Sequence, residues 1–265
     1  MGVMKGKRPA TIKATTPNLG VEVAYRKALR HLLAEMHSDV LAEVVVLYGQ
    51  HRPGIAQDAN LPVMLQRLFQ RLTSSWYRRL NDLGPQVARI FAKGATQHTE
   101  RAMMQALKKV GFTVSFNMTE RSEQAYQAVI GANVGLISNL GVDYFQGVQQ
   151  AVWQSVQSGH DMGTLSKTLQ ERFEMSRRRA DLIARDQNSK AKAAIEKERR
   201  LELGMTRAIW QHSHAGRNPR ISHVHADGKE YDIEQGMYID GKWIQPGEEI
   251  NCKCTSRALI PGFNA

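Results

Sequence analysis

The apolar positions in the first three quarters of the chain recur at three- and four-residue steps. This period is typical of amphipathic helices, which bury one face and expose the other. Pro85 suits the first turn of a helix, where the missing N–H costs nothing, and Ser176 suits an N-cap. The predicted helices cover 21–48, 61–84, 85–109, 119–132, 138–157, 165–173 and 176–203.

A second pattern, typical of β-structure, occurs in two places. Apolar and polar residues alternate strictly over 112–118, which predicts one short strand. Beyond Gly204, β-forming residues at 206–213 and 231–244 are separated by Asp-Gly and Gln-Gly pairs, which are hairpin turn signals. The predicted fold class is therefore α+β, with a mainly helical body and a small β-rich C-terminal module.

Length and composition fit a globular protein with an unusual charge. The chain has 265 residues, of which 42% are hydrophobic and 23% charged, and its net charge is +11. The excess lies at 1–20, 65–109 and 176–203, with the largest share at 65–109, which indicates non-specific phosphate contact with a polyanion such as nucleic acid. The candidate DNA contacts are Lys5, Lys7, Arg8, Lys13, Arg67, Arg71, Arg78, Arg79, Arg89 and Lys93.

Nothing in the sequence indicates export or membrane insertion. Residues 1–20 are basic but lack the apolar stretch of a signal peptide, so we expect a flexible arm. The longest apolar run, 128–142, contains polar residues and is too short to span a bilayer. We therefore expect a soluble protein made in the cytoplasm, without a membrane partner.

The predicted helix 176–203 carries a line of basic residues at seven-residue spacing. Such a line either follows phosphates or belongs to an ordinary solvent-facing surface. Acidic residues four positions away from several of these cations favour the solvated surface. The line consists of Arg178, Arg185, Lys192 and Arg199.

The C-terminal quarter concentrates histidine and cysteine. Cys252 and Cys254 are the only cysteines, and a disulfide across one intervening residue would be strained. On an extended segment both thiols point to one face, where His223 or His225, and less readily His212 or His214, could complete a structural zinc site. The competing interpretation is a set of buried, hydrogen-bonded side chains that hold a loop-rich module together.

An enzymatic interpretation of the same cluster stays open as an alternative. A metal-dependent nuclease or hydrolase would use His223 or His225 as general base, with Asp227 or Glu230 near a catalytic metal. The Asp227-Gly228 pair is better explained as a turn. We therefore expect no enzyme activity and no required cofactor.

A combination of motifs resembles a known family. Residues 177–191 form an Ile-Ala-Arg helix segment, a tryptophan follows in a β-rich segment, and the cluster ends in Ile-Asn-Cys-Lys-Cys at 250–254. Together these are similar to the Mu F-like phage head morphogenesis family, the minor capsid proteins of tailed bacteriophages. The resemblance is firm over 175–257 and looser over 112–163. Its motif residues are Arg185, Trp210, Arg220, His223, Gly228, Asn251, Cys252 and Cys254.

The resemblance implies a domain organisation and a place in the virion. A basic arm (1–20) and an N-terminal helical region (21–110) would precede a Mu F-like domain (111–265), helical over 119–203 with a β module at 205–257. The protein would be a structural minor capsid protein inside the head near the portal vertex, present in several copies. It would contact portal protein, major capsid protein and phage DNA, acting in head assembly and in organising or ejecting that DNA.

The resemblance also bears on metal binding and on the alternatives. Some family members carry cysteines where this chain has Arg220 and His223. A zinc site built on His223, Cys252 and Cys254 would therefore need His225 or a water as its fourth ligand. The alternatives to a structural head protein are the metal-dependent hydrolase and a host regulator that binds nucleic acid with sequence preference.

Overall fold

The chain forms long helices followed by a small β-rich region, which confirms the predicted α+β class. The structure, a computed structural model, describes residues 9–47, 61–158, 162–214 and 218–264. Its helices are α1 (Leu19–Val40, continued by a π turn at Leu41–Val45), α2 (Leu61–Lys108), α3 (Glu120–Gln157), α4 (Met162–Glu202) and α5 (Ile221–Ala226). Its strands are β1 (Pro9–Thr11), β2 (Arg207–Gln211), β3 (Glu230–Asp232), β4 (Met237–Ile239), β5 (Lys242–Ile244) and β6 (Thr255–Asn264).

Helix α2 is continuous where the sequence predicts two helices. Pro85 lies inside it rather than in a first turn, so the predicted boundary at 84/85 is wrong. A proline in a helix interior costs about 3 kcal/mol because it removes a hydrogen bond and crowds the preceding turn. The buried stripe continues through this point with Leu80, Gly84 and Ala88, and its burial outweighs the local cost.

Helices α3 and α4 also run through predicted breaks. Asn133, in the predicted gap of α3, is fully buried and accepts a 2.8 Å hydrogen bond from the Tyr25 hydroxyl. Ser176 lies in the middle of α4 and caps nothing. Polar residues that would end an isolated helix are thus accommodated within α3 and α4, because contacts with the rest of the protein outweigh their local preference.

Residues 112–117 alternate in exposure as predicted but form no strand, and Met118, predicted on the buried face, is exposed. Phe112 and Val114 pack against the hydrophobic core of the C-terminal region, while the intervening residues face solvent. In the described chain this segment pairs with no strand of either sheet. The alternation correctly indicates an extended, half-buried segment, whereas the predicted strand is wrong.

The main sheet has the strand order β1-β6-β2-β3, and every pair is antiparallel. In the centre, Ala208 of β2 lies opposite Tyr231 of β3 on one side and Ala258 of β6 on the other. The inclusion of β1 corrects the prediction of a flexible arm, because β1 pairs with β6 and Ile12 is fully buried. Residues 1–8 lie outside the described residues.

The hairpin predicted around Asp240-Gly241 is present. Strands β4 and β5 pair in an antiparallel two-stranded sheet. Asp240 and Gly241 both adopt positive φ angles, 51° and 82°, which matches the two-residue turn that such hairpins favour. The Asp227-Gly228 pair instead follows the end of α5, where Gly228 has a φ of 75°.

The chain divides into two compact units that interleave along the sequence. One comprises Met1–Glu22, Phe91–Val129 and Arg185–Ala265, and the other comprises Val23–Ile90 and Ile130–Ala184. The first contains the sheets and α5, with a core around Trp210, Ala208 and Ile12. The regions predicted from the sequence, 21–110 and 111–265, are each continuous along the chain and do not coincide with these interleaved units.

Among the described helices, α3 is long and apolar enough to cross a membrane by length and composition alone. Several of its apolar side chains are nevertheless buried, including Ile137, Leu140 and Tyr144. Core helices of globular proteins pass the same test because they too are apolar over many turns.

Candidate metal centre and its pocket

The two cysteines lie on the extended segment that leads into β6. Both thiol side chains are buried and, one residue apart, they point to the same side. The turn before them is fixed at Asn251, which adopts a φ of 60° and donates its backbone N–H to Asp186 at 3.0 Å. The Cys252 N–H is in turn donated to the Glu249 carbonyl at 2.9 Å.

His223, on the short helix α5, completes a compact cluster with the cysteines. Its Nδ1 lies 3.5 Å from the Cys252 sulfur and 3.7 Å from the Cys254 sulfur. A tetrahedral zinc with usual Zn–S and Zn–N bonds places sulfur and nitrogen about 3.5 Å apart. In the described part of the chain, these residues form the one group of at least three potential ligands close enough to share an ion. Their spacing and donor types fit zinc.

A carboxylate on the far side of the ring orients His223. Nε2 lies 3.1 Å from Glu249, which also contacts Lys242 and, at 3.6 Å, Arg220. The hydrogen bond from Lys242 is the main reason why the pKa of Glu249 is lowered. A charged carboxylate at Nε2 favours a proton on that nitrogen and leaves Nδ1 free to bind a metal.

The two thiols are hydrogen-bonded to each other, and this contact shifts their pKa values in opposite directions. The hydrogen bond between them lowers the pKa of Cys252, while the same bond and burial raise the pKa of Cys254. Trp210 encloses the cluster, with its ring edge-on to His223 at 5.5 Å between centroids. The lowered pKa of Cys252 favours the thiolate form that a metal needs.

The cluster borders a cavity of about 430 Å³. Its described lining includes Arg185, Arg220, Lys253 and His212 beside the three cluster residues. His212 thus lies on the cavity wall, whereas His225 and His214 are exposed and belong to neither the cluster nor the lining. A fourth metal ligand would come from the cavity, as a water or an exchangeable molecule.

The residues of the enzymatic interpretation are not brought together. Asp227 accepts the His212 backbone N–H at 2.8 Å, and this bond is the main reason why its pKa is lowered. Glu230 is paired with Arg207 at 2.7 Å on the neighbouring strand. Among the described residues, neither carboxylate forms a potential metal group with His223.

The basic line on α4 is half buried, which corrects both interpretations of it. Arg178 and Arg185 are exposed, but Lys192 and Arg199 are only 4% and 2% exposed. Lys192 is paired with the equally buried Glu196. Glu196, predicted as a surface partner, therefore forms internal ion pairs with Lys192 and Arg200, because this end of α4 packs inside its unit. Asp181 is paired instead with the partly exposed Arg30.

The described DNA-contact candidates are all exposed. On α2, Arg67, Arg71, Arg78 and Arg89 fall within an arc of roughly 40°, given 100° per residue. Arg71 is paired with Glu43, and Arg79 is paired with Glu35 and lies over the Trp76 ring. Lys13 and Lys93 are exposed on the other unit, while Lys5, Lys7 and Arg8 lie outside the described residues.

Sequence reasoning missed Glu249 and Asp186, which orient His223 and the Asn251 turn. Asp186 is 65 residues from Asn251 along the chain, and Glu249 is 26 residues from His223. The only local signal is an acidic pair shortly before Cys252, and acidic residues in a polar loop are too common to identify a partner. Fold information is needed to find such contacts.

The fold and the site define a helical protein whose small β module encloses a Cys₂His cluster beside a cavity. Residues 146–257 match the family described as Phage Mu protein F like protein. This segment is therefore similar to the phage Mu F-like family, which confirms the resemblance over these residues. That family is one of phage head morphogenesis.

Two further comparisons bear on this protein. An uncharacterized protein of Haemophilus influenzae strain Rd is 30% identical over 144 residues, which are 54% of this chain and 30% of the relative. The chain therefore spans less than a third of that relative's length. No solved structure matches this chain.

Proposed function

We propose that this protein is a structural minor head protein of a tailed bacteriophage, located inside the head near the portal vertex. It contacts portal protein and major capsid protein, acts in head assembly, and takes part in organising or ejecting the packaged DNA. It is not an enzyme. The observation that carries the proposal is the family match over 146–257, which contains the whole Cys₂His cluster.

The cluster has a structural role in this proposal. A zinc ion held by His223, Cys252 and Cys254 would join α5 to the segment that leads into β6. These elements are short, and a metal bond between them stabilises a module with a small core. The buried thiols and the carboxylate at His223 support a permanent site.

Contact with DNA is a second part of the proposal. The exposed face of α2 that carries Arg67, Arg78 and Arg89 suits phosphates spaced along a duplex. In the described chain none of these three side chains is paired with a carboxylate, so their charge is available. Such contacts bind DNA without reading its bases.

The hydrolase alternative lacks support at the cavity. A cluster of three ligands beside a cavity is an arrangement that catalytic zinc also uses. However, the described residues lining this cavity include no Asp or Glu that could act as general base. Chelator-sensitive cleavage of phage DNA, lost in His223→Ala, would establish the hydrolase and overturn the structural proposal.

The direct experiment is the composition of purified particles. Tailed particles from the strain that carries this chain are purified on a density gradient and analysed by mass spectrometry, before and after DNA ejection. We expect the chain in low copy number relative to the major capsid protein. Loss on ejection would assign it to the delivered material, and retention would assign it to the shell or portal.

Absence from both proheads and mature particles would contradict a head protein. If the chain is present in proheads but not in mature particles, the protein is an assembly factor rather than a component of the virion. A host contaminant is the matched control, since its amount should fall with each gradient step while a particle component keeps a constant ratio to the capsid protein.

A further inference from the structure

The charged side chains that line the cavity beside the Cys₂His cluster are all basic among the described residues. Three basic side chains line it, from α4, from the start of α5 and from between the two cysteines. The described lining contains no carboxylate. A concave surface that carries one sign of charge concentrates ions of the opposite sign. The three cations are Arg185, Arg220 and Lys253.

Two of these cations are not committed elsewhere. In the described chain, Arg185 and Lys253 form no ion pair with a carboxylate, and both are exposed. Arg220 donates to the Ile250 carbonyl at 2.9 Å and lies 3.6 Å from Glu249, which is itself occupied by Lys242. Arg220 is thereby held in place at the cavity while Arg185 and Lys253 stay free to bind.

The remaining lining fits a phosphate ester better than a bare ion. His212, Ser213 and Asn218 add polar groups that can hydrogen-bond to oxygen. A cavity of about 430 Å³ is larger than one phosphate, and it falls in the size range of small-ligand sites. Pro219 and the His212 ring offer surface for an attached sugar or base.

We propose that the cavity bounded by Arg185, Arg220 and Lys253 is a phosphate-binding site, occupied by a phosphate ester of the kind found in nucleic acid. The guanidinium and ammonium groups bind the phosphate oxygens, and the cavity wall accommodates the attached group. The site is distinct from the α2 face, and it does not depend on where the protein lies in the virion. Zinc held by two thiolates would be neutral, so a bound ion would leave Arg185 and Lys253 uncompensated, while Arg220 keeps its contact with Glu249.

The test is titration calorimetry on the full chain with two probes, inorganic phosphate and a 5′-phosphorylated dinucleotide. We expect saturable binding that weakens about tenfold or more in Arg185→Gln/Lys253→Gln, because two charge-assisted contacts are lost. The matched control is Lys229→Gln/Arg257→Gln, which removes two exposed cations outside the cavity lining. It should bind both probes as the wild type does.

The two probes distinguish the source of the phosphate. Tighter binding of the dinucleotide assigns the site to a phosphate ester, whereas equal affinity assigns it to the phosphate group alone. Binding of neither probe overturns the proposal, as does equal weakening in the two double variants. Melting temperatures of both variants establish that each is folded, and repeating the titration with zinc-loaded and chelator-treated protein separates phosphate binding from metal binding.

Discussion

The guanidinium of Arg199 binds the carboxylate of Glu100 from within the core of its unit. The Arg199 side chain is 2% exposed, and its Nε lies 2.9 Å from Glu100. It also donates to the Asn117 carbonyl at 2.7 Å and lies over the Phe116 ring at 5.1 Å. One buried cation thus connects α4, α2 and the extended segment between α2 and α3.

Replacing Arg199 should destabilise the protein strongly. Arg199→Ala leaves Glu100 and the Asn117 carbonyl without their partner, and breaking a buried pair in this way costs about 3 kcal/mol or more. Arg178→Ala, about six turns earlier on the same helix, removes an exposed arginine and should cost less than about 0.5 kcal/mol. Urea unfolding of both variants gives the two values, and similar values would contradict the buried role of Arg199.

Metal content should depend on His223 and not on His225. We expect about one zinc per chain in the purified wild type, because the three ligands already lie at tetrahedral spacing. His223→Ala should lose the metal and melt at a lower temperature, whereas His225→Ala removes an exposed imidazole and should keep both. Elemental analysis and thermal melts measure this, and metal-free wild-type protein would rule out the site.

The stability of the unit that contains His37 should fall at acidic pH. His37 is stacked on Phe173 at 4.2 Å and hydrogen-bonded to the Tyr144 hydroxyl at 2.9 Å. Burial lowers its pKa below the ordinary value of 6.5, although Gln170 and Glu174 oppose this. Because the unfolded chain takes up the proton first, stability is full above about pH 6.5 and is lost as pH falls toward the folded pKa.

The check is the dependence of unfolding free energy on pH between neutral and mildly acidic conditions. His37→Gln should flatten this dependence, whatever its effect on the absolute stability. His31→Gln removes an exposed imidazole from the same helix and serves as the control. If the wild type and His37→Gln lose stability in parallel, His37 is not the group responsible.

Salt dependence should reveal whether the α2 face binds DNA. Arg67→Gln/Arg78→Gln/Arg89→Gln should lower the slope of log affinity against log salt by about 2.7, since each lost phosphate contact contributes about 0.9. The control Lys27→Gln/Lys167→Gln/Arg178→Gln removes the same number of exposed charges from the same unit. Fluorescence anisotropy with a duplex of random sequence measures the salt slopes of both triple variants. Equal changes in the two slopes would mean that the α2 face contributes only through the net charge of the protein.

The sequence predicts the helices well and their boundaries poorly. Periodicity reports the buried face directly, so helix was predicted over most of α1 to α4. Pro85 and Ser176 are local signals of a boundary, and both lie inside helices because the buried stripes run past them. Strand β1 was missed because a three-residue strand carries almost no pattern of its own.

The candidate site was predictable in its donors but not in its geometry. The cysteine spacing indicates a shared face, and the family resemblance points to position 223. Both histidines lie on α5, a helix of six residues that the sequence pattern does not predict. Because the helix places the two rings on different sides, only its geometry shows that His223 rather than His225 faces the cysteines. The metal ligands therefore stay a prediction until zinc is measured.

The pairing of β1 with β6 has a consequence for synthesis. Thr11 lies opposite Leu259, so this ladder joins segments separated by nearly the whole described chain. Contacts of such sequence separation form slowly and late. A ribosome has to release β6 before β1 can find its partner, and Ile12 stays uncovered until then. During translation, β1 therefore lacks its sheet partner until β6 has been synthesised, which leaves it prone to aggregation until then.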